Sequence, residues 1–344
     1  PMSAMADTTI YGLIDNAVTN GDNSSSSNDS SMDVRQGNGT SRFGVKGRED
    51  LGDGLKAIFQ YEWATVTAEG GLGSTATGFA NRLGYVGLAG SFGKVTVGRQ
   101  WNPYYFAVGK NDIMNGPTAG YRQSLNHYRT GNGLGYATPN MNGFSAAITL
   151  AMDAGGATDI EDGVDQVSLN VKYDNGPLSI GLGYRQTEGT GATSSTGGGT
   201  NVAFTSTAAT VLPTAATTKV VSYGSTAAVD DSDTWGLGAK YNFGNFAVMA
   251  SYEDQDNGGA ADKTAWGLAG EAYFGNNTVK LSVSSIDTDA TSTTASTDTM
   301  AWAIGLQHSF SKRTRVYVEY SDLDADTTSD ADMDEFAIGL RHDF

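Results

Sequence analysis

The stretch "TMAWAIGLQHSF", residues 299–310, reads as a strand with two unlike faces. Met300, Trp302, Ile304, Leu306, His308 and Phe310 share one side of an extended chain, and Ala301, Ala303, Gly305, Gln307 and Ser309 share the other. The same alternation runs through "WGLGAKYNF" (235–243), where Trp235, Leu237, Ala239, Tyr241 and Phe243 oppose Gly236, Gly238, Lys240 and Asn242. It returns in "LKAIFQYEW" (55–63) and "TRVYVEYS" (314–321). In a soluble sandwich the apolar face would pack on a second sheet. Here the opposite face carries Lys, Arg and Glu in mid-strand, and the apolar face carries Trp and Tyr at its ends.

The connections between these stretches alternate in kind. Hairpin-type turns such as "EDLGDG", "GSFG", "PNMNG", "DNGP" and "NFGN" alternate with long polar segments at 20–38, 67–80, 101–128, 153–163, 188–231, 256–261, 287–298 and 323–332. Seven short and eight long connections predict sixteen strands. Short turns on one rim, long loops on the other and an even strand count define an all-β protein, a transmembrane antiparallel β-barrel. A closed barrel is the one sheet that crosses lipid with every backbone group paired. Tyr173, Phe243, Phe246, Phe274 and Phe310 flank the short turns, where an interfacial girdle would sit.

Composition narrows the choice further. The 344 residues include 46 Gly, 16 Tyr and 13 Phe, with 6 Pro and no Cys, so disulfides and thiolate metal sites are excluded. No apolar run approaches the roughly 20 residues of a membrane-spanning helix. A net charge of -17, from 38 acids against 21 bases without a basic stripe, argues against nucleic acid as a partner. The competing architectures are a soluble jelly roll and a repeat solenoid. No fixed self-similarity supports the solenoid, and the Ser/Thr/Ala/Gly-rich segment 188–231 reads as one long loop because the strand pattern continues on both sides. Residues 1–6, "PMSAMA", lack the apolar centre of a signal peptide and are expected to be a cloning and processing remnant. Residues 7–344 then form a single barrel domain.

The stretches "TIYGLIDNAV", "SRFGVKGREDLGDGLKAIFQYEW", "NRLGYVGLAGSFGKVTVGRQW", "HYRTGNGLGYATPNMNGFSAAI" and "FAIGLRHDF" together resemble the trimeric general porins of Gram-negative outer membranes. The resemblance covers nearly the whole chain. It implies a 16-stranded barrel, a homotrimer in outer-membrane lipid and lipopolysaccharide, and a third loop folded into the lumen. It also implies that the strand ending in Phe344 is read by the barrel-assembly machinery. Function follows as passive diffusion of small hydrophilic solutes and ions through a water-filled channel, with no cofactor. The alternatives are a substrate-specific channel for sugars or anions, for which Trp101, Tyr104, Tyr105 and Phe106 are the aromatic candidates, and an adhesin or receptor barrel.

In such porins a ladder of arginines on the wall faces acids on the inward loop. By motif, Arg42 and Arg82 fall on the ladder and Arg129 is a third member. Alternation independently puts Arg42 with Lys46 and Arg48, opposite Phe43 and Val45, and turns Glu62 inward. The loop segment "GKNDIMNGPTAGYRQ" departs from the acidic pattern of the family: it offers Asp112 and adds Lys110 and Arg122. The constriction is therefore expected to carry a net positive bias inside a strongly acidic molecule.

Acids also crowd the long-loop end, where Asp322, Asp324, Asp326, Asp330, Asp332 and Asp334 share the parity of the outward Tyr320 and Phe336. The run fails as a calcium loop of EF-hand type, since Thr327 and Met333 stand where Gly and Glu are required. It reads as a solvated rim, with weak Ca2+ or Mg2+ binding bridged to lipopolysaccharide phosphates as the sharper alternative. An enzyme is disfavoured. The three His are His127, His308 and His342, and "AGSFG" around Ser91 has Ala89 where a nucleophile elbow needs Gly.

Overall fold

The computed structural model describes residues 7–23, 31–38, 41–65, 80–117, 124–125, 129–152, 163–189, 230–291, 295–326 and 332–344. Its strands are β1 (Asp7–Asn23), β2 (Ser31–Gln36), β3 (Arg42–Gly52), β4 (Leu55–Ala64), β5 (Ala80–Gly90), β6 (Gly93–Trp101), β7 (Arg129–Thr130), β8 (Gly133–Ala137) and β9 (Phe144–Ala151). They continue as β10 (Gln166–Asn175), β11 (Leu178–Thr187), β12 (Ser232–Asn242), β13 (Phe246–Asp256), β14 (Lys263–Phe274), β15 (Asn277–Thr288), β16 (Thr297–Ser309), β17 (Thr314–Asp326) and β18 (Met333–Asp343). Among the described residues a helix, α1 (Pro103–Val108), and a 3-10 turn, Gly109–Asn111, follow β6. No helix among the described residues is long and apolar enough to cross a membrane.

Neighbouring strands pair antiparallel around a closed ring. β18 returns to β1, with Asp343 opposite Leu13 and Met333 opposite Asn23, and the backbones of Gly12 and Phe344 exchange hydrogen bonds at the seam. Two wall strands are interrupted. β3 covers the first half of β1 and β2 the second, separated by residues 37–41, and β7 and β8 both lie along β6. The eighteen segments of the sheet are therefore sixteen wall strands, the number that the turn pattern predicts.

The two faces are those expected from alternation. Ile304, Leu306, Ile338 and Leu340 are exposed on the outside, while Ala301, Ala303 and Ala337 are buried toward the lumen. Two aromatic levels bound the apolar belt. Phe243 and Phe246 stack beside a short turn with centroids 4.4 Å apart, and Trp302 and Tyr320 meet at 5.5 Å nearer the long-loop rim. The ladders run past that upper level: β1 reaches Asn23 and β17 reaches Asp326, so segments expected to be loop are partly strand. Above the Trp302–Tyr320 pair the next outward residue on β17 is Asp322, directly opposite Asp334. Residues 1–6 and most of 188–231 lie outside the described residues.

Candidate pore constriction

On one side of the lumen Glu62 gathers the cations. It is almost fully buried, and its Oε1 accepts a hydrogen bond from Arg82 Nε at 2.6 Å with Arg42 Nη1 at 3.9 Å. The Tyr11 hydroxyl donates to its Oε2 at 3.0 Å, and the Tyr85 hydroxyl donates to the neighbouring Gln60 at 2.8 Å. Arg82 reaches this cluster through a β-bulge. Glu62 pairs with Leu83 and Trp63 with Asn81, leaving Arg82 unpaired in the ladder. Strict alternation would put Arg82 with the outward Val86 and Leu88; the extra residue turns it inward instead.

Arg129 arrives by a second irregularity. Gly98 sits at φ +121°, where a Cβ would stand 2.2 Å from the Gly84 carbonyl oxygen. Past this kink Trp101 faces the lumen, and the Arg129 guanidinium stacks over its ring at 4.5 Å. The charges acting on Arg129 are Arg42, Arg82, Arg99 and Glu62. Arg99 donates through Nε to the Asn81 carbonyl at 3.1 Å, within electrostatic reach of Arg129. Lys46 stands at the edge of the group, over the Tyr11 ring at 5.0 Å. Arg82 and Arg42 thus share one carboxylate, with Arg129 within its electrostatic reach, and low-dielectric walls focus their field into the water between.

The third loop lies against the far wall, and its path can be followed strand by strand. Asn102 caps α1, its side chain accepting from the Tyr104 N–H at 2.9 Å. The helix then rests on a floor of glycines, with Gly181 opposite Gly238 and Gly183 opposite Gly236 on β11 and β12. A Cβ at Gly238 would lie 2.2 Å from the Ala107 carbonyl oxygen, and one at Gly236 2.5 Å from Val108. The Tyr104 hydroxyl donates to Glu253 on β13 at 3.1 Å. Lys280 on β15 donates to the Ile113 carbonyl at 2.7 Å, and Met114 packs on Ala303 of β16. Glu319 on β17 accepts the Gly116 N–H at 2.7 Å. Asn38, in the gap between β2 and β3, donates its N–H to the Asn115 carbonyl at 2.8 Å.

Asp112 lies on this inner path and accepts from Asn38 Nδ2 at 3.2 Å and from the Tyr105 hydroxyl at 3.3 Å. Lys110 does not join the Glu62 cluster: its ammonium donates to Ser179 on β11 at 2.8 Å, facing the wall because the chain winds there as a 3-10 turn. Arg122 and Asp330 lie outside the described residues, as does His127. Of the rim acids, Asp322, Asp324, Asp326, Asp332 and Asp334 are described, and no group of three acids or His among the described residues is placed to hold a metal ion. His308 and His342 sit near the short turns, bonded to Asn277 and Thr314 at 2.8 Å each.

A closed sixteen-stranded barrel, apolar outside, charged within and carrying an inward loop, has the architecture of an outer-membrane barrel. The chain belongs to the Gram-negative porin family, whose model matches residues 1–328. Outer membrane porin protein 32 of Delftia acidovorans is 34% identical over 201 residues, covering 53% of this chain and 55% of that protein. An outer membrane porin protein of Bordetella pertussis is 31% identical over 54% of this chain and 55% of its own length. The matched stretches span about half the length of these curated relatives. Among solved structures, the anion-selective porin from Comamonas acidovorans superposes with a TM-score of 0.74 at 26% identity, covering 98% of this chain and 100% of that one. OmpT of Vibrio cholerae in its trimer form shares the fold at a TM-score of 0.67 and 16% identity, over 98% and 99% of the two chains.

Proposed function

We propose that this protein is an outer-membrane channel for passive diffusion of small hydrophilic solutes and ions, with a constriction that favours anions. The observation that carries the reading is the Glu62 cluster, in which Arg42 and Arg82 share one carboxylate and the Arg129 guanidinium, stacked on Trp101, adds a third positive charge. The description of the Comamonas porin as anion-selective, at 26% identity, supports the same sign. A homotrimer is the assembly by analogy with the trimeric OmpT structure. On this reading lipid surrounds the apolar belt, lipopolysaccharide faces the acidic rim, and the strand carrying Phe344 engages the barrel-assembly machinery. Any divalent cations at the rim would be shared between its acids, of which Asp322 stands opposite Asp334, and lipopolysaccharide phosphates. Planar-bilayer recording in a KCl gradient tests the function: Arg42→Gln combined with Arg82→Gln should move the reversal potential toward cations. An unmoved potential refutes the constriction, and an absence of conductance refutes the channel.

A further inference from the structure

We propose that the lumen holds a second site, on the short-turn side of α1, that binds small carboxylates bearing one aromatic ring. A cavity of about 260 Å³ lies between α1 and the inner faces of β5, β6, β8, β9 and β10. Its polar lining includes Lys94, Lys172, Thr96 and Thr149, and its apolar lining includes Trp101 and Phe106. Both lysines are lumenal by parity: Lys94 shares its face with the buried Thr96, and Lys172 with the buried Asn170.

The two ammonium groups differ in how they are compensated. Lys172 lies 3.8 Å from Asp174 and 5.9 Å from the centroid of the Phe106 ring. Lys94 makes no ion pair with any described carboxylate; what it meets is the face of the Tyr85 ring, 6.0 Å away. Lys94 is exposed to the lumen at the edge of the cavity, and a cation without a counter-charge attracts an anion there more strongly than a paired lysine does. Facing it, Trp101 and Phe106 lie with ring centroids 5.8 Å apart; Trp101 already carries Arg129 and Tyr105 against its ring, so Phe106, which is exposed, offers the more open face. Their position is fixed from behind, because Asn170 donates through Nδ2 to the Pro103 carbonyl at 2.6 Å and ties down the start of α1.

This combination selects a ligand class. A chloride or phosphate would use the lysines and leave the aromatic wall idle, while a neutral ring would leave Lys94 uncompensated. A single-ring carboxylate uses both, and the cavity has room for it with a few waters of about 30 Å³ each. The proposal depends on the channel reading only in that the ligand enters from the lumen. Neither lysine belongs to the Glu62 cluster, so the two readings can fail separately.

The test is calorimetric titration of the folded protein in detergent with benzoate, using acetate as the carboxylate without a ring and benzyl alcohol as the ring without a charge. Saturable benzoate binding is expected, with both controls weaker by about tenfold or more, and with Lys94→Gln weakening benzoate about tenfold. Lys172→Gln provides a second variant and should weaken benzoate in the same direction. Arg42→Gln with Arg82→Gln should leave benzoate binding in place while moving the reversal potential. Acetate binding as tightly as benzoate, or benzoate affinity unchanged in both lysine variants, overturns the site.

Discussion

The Glu319 carboxylate holds Asn115 from three sides: the Asn115 backbone N–H lies 3.0 and 2.9 Å from its two oxygens, and the Asn115 side-chain amide donates to it at 2.9 Å. Together with the Gly116 N–H at 2.7 Å, this makes one buried carboxylate the anchor of residues 115–116 of the third loop. No other acceptor is needed for these backbone donors, which water cannot reach.

Glu319→Gln keeps the size of that side chain but replaces one acceptor with a donor aimed at N–H groups. A hydrogen bond to a charged group is worth about 1.5–3 kcal/mol, so the tip of the loop should detach more often while the helix end stays seated. Single-channel recording should show an open state of similar mean conductance with increased current noise. Noise equal to that of the parent would mean that Lys280 and Asn38 hold the loop without Glu319.

The glycine floor under α1 makes a second expectation. Gly238→Ala places a methyl 2.2 Å from the Ala107 carbonyl oxygen, and overpacking of this kind costs about 1–3 kcal/mol. The helix must lift into the lumen, so conductance should fall and the thermal unfolding temperature should drop. Gly270→Ala serves as the control, since its nearest contact would be an ordinary 3.7 Å. Equal effects from the two substitutions would show that strand propensity rather than the helix seat is responsible.

Much of the fold was legible because a barrel writes its faces locally: period two marked the outward Ile304 and Leu306, and the same rule turned Glu62 inward. The cluster around Glu62 was only half legible. Alternation sufficed for Arg42, but Arg82 depends on a bulge that violates alternation, and Arg129 depends on the kink at Gly98. Lys110 turned to the wall because a 3-10 turn has no period that a strand rule can follow. The seat of the loop was least legible, since Asn115 and Glu319 are 204 residues apart and only the closed ring brings them together. Gly236 and Gly238 were visible as a small face, but their pairing with Gly183 and Gly181 as a helix seat became apparent only when α1 was placed on them.

Glu62 gives the sharpest separation between charge and shape at the constriction. Removing one partner of a buried ion pair leaves the other charge uncompensated, at a cost of about 3–5 kcal/mol. Glu62→Gln is close in size, yet it deprives Arg82 and Arg42 of their shared carboxylate while the amide oxygen can still accept from one guanidinium. Anion preference should therefore increase, opposite in sign to the effect of neutralising the two arginines. The change should also fade with ionic strength, because the screening length falls from about 10 Å at 0.1 M to about 3 Å at 1 M. Reversal potentials of parent and variant, compared at those two salt levels with the same concentration ratio, check both claims. A shift toward cations, or one that grows with salt, would mean that Glu62 shapes the opening by positioning Arg82 rather than by setting the sign of its field.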